Sequence, residues 1–198
     1  MGKIFYLIGK SCAGKDSLYN ILKNDKELGL LPVIRYTTRP IRDGETDGTG
    51  YHFVDMDGYR SLKGSGRIIE EQVYDTVYGD WYYFTADDGS IDLDRNSYLA
   101  VGVLDSFAGT RDYFGSDKVM PLYIELDDGE RLQRALDRER LPENGKYAEM
   151  CRRFLSDDRD FSEERIRQLG IKDEERFVND DLDECAGRIR TWILKSIR

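Results

Sequence analysis

Histidine is nearly absent from this chain of 198 residues: His52 stands alone, so a multi-histidine metal centre cannot be assembled and serine–histidine hydrolysis has no support. Beside Tyr51, that one imidazole reads as structural. Cysteine is also sparse. Cys12, Cys151 and Cys185 are odd in number and widely spaced, which suggests neither a disulfide framework nor a zinc site and leaves them as buried or bystander thiols. No apolar run approaches the roughly 20 residues that cross a bilayer. The apolar stretch within Met1–Gly9 is too short for a secretory segment and runs directly into a glycine loop, so a mature, cytoplasmic sequence is expected. Positive charge is in deficit as well. A net charge of −9 disfavours general affinity for a nucleic-acid backbone, which depends on lysine and arginine neutralising phosphates. A small anion needs only a local cluster of arginines and backbone N–H groups, and the basic residues do fall in short groups.

What is present is globular in balance, 39% hydrophobic and 35% charged, at a length suited to one core with inserted lobes. Residues 3–8 form an apolar run ended by Gly9, and Leu18, Ile21 and Leu22 then share a helix face. Candidate strands at 98–104 and 119–126 precede helical segments near 105–114 and 128–139, an alternation that predicts a parallel sheet with covering helices. Residues 32–84 are rich in glycine, tyrosine and threonine with little sustained helical periodicity, as in a small β-rich lobe inserted into that fold. The polar stretch 140–150, with Pro142, Asn144 and Gly145, reads as a mobile loop or lid, and the acidic stretch 156–164 as a solvated helix face. Arg176-Phe177-Val178-Asn179 is the last strand candidate, after which Leu182, Cys185, Ile189, Trp192, Ile193 and Ile197 recur at helical spacing, as in a helix packed on the core.

Two segments carry chemistry. Gly9-Lys10-Ser11-Cys12-Ala13-Gly14-Lys15 lies between a predicted strand and a predicted helix, the context that gives G-x-x-x-x-G-K its meaning. Its glycines let backbone N–H groups turn around phosphate oxygens, the helix N-terminus adds positive potential, and Lys15 reaches the β- and γ-phosphates of a nucleoside triphosphate. Asp16 stands where a serine or threonine usually supplies magnesium with a hydroxyl, and Ser17 follows. Asp16 either binds the metal or its waters, or caps the helix. The second segment runs Arg35-Tyr36-Thr37-Thr38-Arg39-Pro40-Ile41-Arg42-Asp43-Gly44-Glu45-Thr46-Asp47-Gly48-Thr49-Gly50-Tyr51-His52-Phe53. Arg39 and Arg42 can make bidentate, charge-assisted bonds to a phosphate, with Pro40 holding the backbone between them and Tyr51 adding a hydroxyl.

This string resembles the acceptor region of guanylate kinases, T-T-R-P-x-R-x-G-E-x-D-G-x-x-Y-x-F, at every fixed position. The resemblance implies a P-loop α/β fold in three layers, with core segments 1–34, 86–136 and 151–198, an acceptor lobe over 35–85 and a helical lid near 137–150. It further implies that Arg39, Arg42 and Tyr51 hold the acceptor phosphate and that Glu70, or alternatively Glu71, hydrogen-bonds guanine. Downstream, Val77-Tyr78-Gly79-Asp80-Trp81-Tyr82-Tyr83-Phe84-Thr85 departs from the family's V-H-G-N-Y-Y-G-T by an inserted residue and by Phe84 in place of glycine. There Tyr83 is taken as a further phosphate ligand and Thr85 as a base contact. Leu104-Asp105-Ser106-Phe107-Ala108-Gly109 only echoes L-D-x-D-x-Q-G, so Asp105 either contacts the base or magnesium or caps the next helix. Val178-Asn179-Asp180-Asp181-Leu182 is similar to V-x-N-D-D-L, which lies near the adenine pocket in relatives and puts Asn179 among the ATP-binding residues; read alone, Asn179 and Asp180 resemble a helix cap.

Arg131, Arg134 and Arg138 share a helix face at i, i+3 and i+7, and Arg152 and Arg153 follow the polar loop. By resemblance, Arg138 and Arg153 are the lid arginines that act on the transferring phosphoryl group alongside Lys15. The expected reaction is magnesium- and ATP-dependent phosphorylation of GMP or dGMP, by in-line attack and without a nucleophilic side chain. No nucleic-acid or membrane partner is expected. Two rivals remain open. Ribose bisphosphate phosphokinases share the G-K-D-S text seen at Gly14-Lys15-Asp16-Ser17, and guanylate-kinase-like modules bind ligands without catalysis.

Overall fold

The computed structural model describes residues 1–76, 78–141 and 145–197. Its central sheet grows from β1 (Ile4–Gly9), whose alternating side chains are all buried: Phe5 and Leu7 face one core, Ile4, Tyr6 and Ile8 the other. A strand buried on both faces belongs in the middle of a parallel sheet, and β1 pairs in parallel with β7 (Tyr98–Val101) and β8 (Val119–Glu125). With β2 (Leu31–Pro32) and β9 (Arg176–Val178) at the edges, the five-stranded order is β2-β7-β1-β8-β9. Helices α1 (Lys15–Lys23) and α7 (Leu182–Ile197) cover the Phe5 face, and α7 seats Cys185, Ala186, Ile189 and Ile193 there. On the Tyr6 face lies α3 (Leu104–Phe114), through Leu104 and Phe107. Sheet and two helical layers form the α/β arrangement the sequence predicts.

Between β2 and β7 the chain builds a second sheet of four strands, ordered β4-β3-β6-β5, from β3 (Arg35–Thr37), β4 (Tyr51–Phe53), β5 (Ile68–Thr76) and β6 (Gly79–Ala86). Its own small core comprises Tyr59, Phe84 and Ala86. Tyr59 belongs to α2 (Met56–Gly64), a helix that residues 32–84 do not advertise. That helix has nine residues, contains Gly58 and Gly64 and buries only Tyr59, so its periodic signal is weak, while its cap is local: Asp55 accepts from the Gly58 N–H at 2.8 Å. The lobe meets the main body where α3 lies against β5. Gly109 permits that approach, since a Cβ there would sit 2.6 Å from the Cβ of Glu70.

The candidate strand 98–104 ends at Val101, and α3 starts at Leu104. Helix α4 (Asp128–Arg140) is followed by α5 (Tyr147–Asp160) and α6 (Glu163–Gln168), so helix occupies both flanks of the stretch read as a loop or lid. Pro142, Glu143 and Asn144, the centre of that stretch, lie outside the described residues, as does Val77. The acidic stretch 156–164 is not simply a solvated face. Asp157 turns inward with only 14% of its side chain exposed, and Phe161 is buried. Among the described residues no helix is long and apolar enough to cross a membrane, and no cluster of three His, Cys, Asp or Glu side chains could hold a metal.

Candidate functional site

The glycine loop emerges where β1 ends and α1 begins, and its shape depends on residues without side-chain bulk. Gly14, at φ +92°, is the N-cap of α1. A Cβ at Gly14 would lie 2.2 Å from Nδ2 of Asn179, the amide that donates to the Ala13 carbonyl at 2.7 Å. Gly14→Ala is therefore expected to lose about 2 kcal/mol of stability in urea denaturation, because the left-handed backbone and the displaced Asn179 act together; a change below a few tenths would contradict this account of the loop.

Lys15 folds back on the loop, donating to the Gly9 carbonyl at 2.7 Å and the Lys10 carbonyl at 2.9 Å. Burial pushes its pKa below the usual lysine value, with the carboxylates of Asp157 and Asp16 pulling the other way. Asp157, on α5, accepts from the Ser11 N–H at 2.7 Å. Arg131, 1% exposed, clamps this contact: Nη1 donates to Asp157 at 3.3 Å and to the Ser11 carbonyl at 3.2 Å, and Nε donates to Asp128 at 2.9 Å. Its guanidinium lies 4.7 Å from the Phe154 ring centre. Lys10 bridges to Asp158 at 2.7 Å and Asp128 at 3.4 Å. Arg134 donates to the Asn179 carbonyl at 3.3 Å. Neither Asp157 nor these roles for Arg131 and Arg134 were legible as functional; their spacing marked only a helix face.

Asp16 and Ser17 are exposed in the first turn of α1. Because Gly14 takes the cap position and no side-chain bond caps this helix, the capping alternative for Asp16 fails. Asn179 and Asp180 do not cap α7 either. Asp181 does, accepting from the N–H groups of Asp183 at 3.0 Å and Glu184 at 2.9 Å. Asp105 likewise does not cap α3, whose N-cap is Val103; it pairs with Arg165 of α6.

In the lobe, Arg39 is almost fully buried and forked on Glu45, through Nη1 at 2.9 Å and Nη2 at 2.7 Å, over the Phe53 ring. The Arg39 guanidinium and the Arg42 backbone N–H hold the Glu45 carboxyl down to about 2, so this pair stays charged at any neutral pH. Arg42 itself points to solvent. Tyr51 packs edge-on against Tyr83 at 5.6 Å, and Tyr83 against Tyr74 at 5.4 Å.

Alternation along β5 separates the two glutamates. Glu70 is 7% exposed and accepts from Thr85 at 2.6 Å and from Arg35 Nη2 at 2.9 and 3.0 Å. Glu71, on the other face, takes the Tyr59 hydroxyl at 2.7 Å and Lys63 at 2.6 Å. Glu70, Thr85, Tyr51, Tyr83 and Arg39 thus gather on the lobe, joined by two residues sequence reasoning left without a role, Arg35 and the buried Ser106, whose hydroxyl meets Arg35 at 3.2 Å. Arg138 and Arg153 stand apart from the loop contacts. Both are more than half exposed and paired locally, Arg138 with Glu139 at 3.6 Å and Arg153 with Glu149 at 2.8 Å.

A family model described as guanylate kinase matches residues 1–85. The guanylate kinase of Alkalilimnicola ehrlichii is 42% identical over 79 residues, which cover 39% of this chain and 38% of the relative. That of Cupriavidus metallidurans is 37% identical over 82 residues, 41% of this chain and 36% of the relative. The matched segments therefore span under two fifths of these relatives. In fold, the crystal structure of guanylate kinase from Anaplasma phagocytophilum aligns with 98% of this chain and 85% of that one, at TM-score 0.65 and 22% identity.

Proposed function

We infer that this chain, whose first 85 residues match a guanylate kinase family model and whose fold follows a solved guanylate kinase along nearly all its length, transfers the γ-phosphoryl group of ATP to GMP or dGMP. One observation carries the reading. Beside the cation and hydroxyl groups suited to a phosphate, Arg39, Tyr51 and Tyr83, the lobe holds a buried carboxylate, Glu70, bonded to Thr85. Such a carboxylate can accept from the ring N–H and amino donors of a purine base.

In this mechanism the loop N–H groups and Lys15 hold the β- and γ-phosphates, and Asn179 keeps the loop in shape through the Ala13 carbonyl. Arg39, Arg42, Tyr51 and Tyr83 hold the acceptor phosphate so that one of its oxygens attacks the γ-phosphorus in line while the bond to the β-phosphate oxygen breaks. Glu70 and Thr85 orient the base. Arg138 and Arg153, free of the loop, close over the phosphates and offset charge on the transferring group. The exposed oxygens of Asp16 and Ser17, directly after Lys15, fit Mg²⁺, a hard cation that takes one or two carboxylates together with substrate phosphates. When bound it would supply positive charge to offset that of the substrate phosphates. The same reading makes the protein a cytoplasmic nucleotide enzyme with no nucleic-acid partner.

An ADP-release assay with Mg-ATP and, separately, GMP, dGMP, AMP, UMP and ribose bisphosphate tests this. Turnover is expected with GMP and dGMP. Turnover with the sugar phosphate alone would reassign the chain to that kinase class, and silence with every acceptor would leave a binding module.

A further inference from the structure

We propose that Asp157 is a positioning residue for ATP: its carboxylate, backed by Arg131, fixes the backbone of Ser11 and so keeps the glycine loop in its phosphate-binding shape before the nucleotide arrives. This rests on the ATP-site reading above. The loop has a shape that needs holding. Cys12 sits at φ +62°, alone among the described residues other than glycine in the left-handed region. A side chain there is strained, and such a residue persists where its surroundings over-determine it. In a turn of this kind successive backbone N–H groups are aimed at one anion. No described group accepts from the Cys12 N–H, which leaves it for a ligand.

The restraints lie on either side of Cys12. After it, the Ala13 carbonyl accepts at 2.7 Å from Asn179, a buried side chain. Before it, both backbone groups of Ser11 are taken. The N–H donates to Asp157 at 2.7 Å, and the carbonyl accepts from Arg131 at 3.2 Å. Asp157 and Arg131 meet each other at 3.3 Å, so the two pins on Ser11 brace one another.

A second acid of α5, Asp158, also reaches the loop, through Lys10 at 2.7 Å, but its side chain is 48% exposed against 14% for Asp157. A solvated pair of flexible side chains restrains little, whereas an enclosed carboxylate on a backbone N–H restrains much. Arg131 offsets the charge of Asp157, so what the carboxylate contributes to the loop is its acceptor oxygen.

Two variants of equal charge isolate that oxygen. Asp157→Asn keeps an acceptor for the Ser11 N–H, and Asp157→Leu, of similar size, has none. In calorimetric titration of the full chain, Mg-ATP should bind Asp157→Leu about tenfold more weakly than Asp157→Asn, because an unpinned loop holds its binding shape for only a fraction of the time. GMP should bind both variants alike. In turnover the loss should appear as a raised KM for ATP, with kcat at saturating ATP within about threefold. Equal affinity of the two variants for ATP would overturn the proposal and leave the kinase reading intact; equal losses for ATP and GMP would reduce Asp157 to a structural part and overturn it too. The unliganded wild-type chain supplies a test that no misfolded variant can spoil. Its Ser11 amide should exchange with deuterium at least about tenfold more slowly than its Cys12 amide, and equal rates would mean that the pin is not there. Absence of ATP binding to the wild-type chain would sink this proposal and the kinase reading together.

Discussion

Lys15→Met is expected to lower kcat for ADP release by about 10³-fold while leaving the chain folded. The ammonium rests on the Gly9 and Lys10 carbonyls, 2.7 and 2.9 Å away, within the loop that would surround the phosphates. Methionine matches the stem in length and removes the ammonium, with its two bonds to those carbonyls and the charge that, on the proposed reading, follows the γ-phosphoryl group into the transition state. Stability should move the other way. Burial has lowered the lysine pKa, so the folded state disfavours the charged form. Below the folded pKa that charge works against folding, and the opposition fades as pH rises toward the unfolded value. An uncharged methionine escapes it, and the melting temperature at pH 7 should equal or exceed that of the parent. Unchanged turnover would remove the glycine loop from the mechanism, and a collapsed melting temperature would show that Lys15 is chiefly a brace.

Arg131→Met should be the most destabilising single change outside the apolar core, at about 3 kcal/mol in urea denaturation. Its guanidinium is enclosed, and it is the cation on Asp157, itself 14% exposed and tied to the Ser11 N–H. Removing it leaves a carboxylate largely out of water with one backbone donor. A second substitution distinguishes this from lost packing on Phe154. Asp157→Asn keeps an oxygen for the Ser11 N–H and discards the charge, so the double variant Arg131→Met/Asp157→Asn should be less destabilised than the two singles summed, by about 1–2 kcal/mol. Simple additivity would mean that the arginine acts through packing alone.

Legibility of the site tracked distance along the chain. The glycine loop is readable because its work is done by consecutive backbone groups, and Gly14-Lys15 announces it directly. The acceptor string is readable because Arg39 and Glu45 are six residues apart and fold onto each other within one turn-rich segment. Glu70 against Glu71 was ambiguous in text, since both fit the spacing. Only the pleat of β5, turning one toward Arg35 and the other toward Lys63, separates them. The clamp on the loop was invisible. Ser11 and Asp157 lie 146 positions apart, and an aspartate in an acidic helix gives no sign that its side chain turns inward.

By itself, the sequence determined the parallel α/β core and the position of the phosphate loop. Buried-strand runs, helical faces and the G-x-x-x-x-G-K spacing are local codes, written in residues that act on their immediate neighbours. The tertiary structure decided which charges are enclosed and with whom: Arg131 with Asp157, Arg35 with Glu70 and Ser106. Each of these depends on α3 or α5 docking against an element far away in the chain. The energy of a charge is set by what surrounds it, and that is a property of the packed molecule.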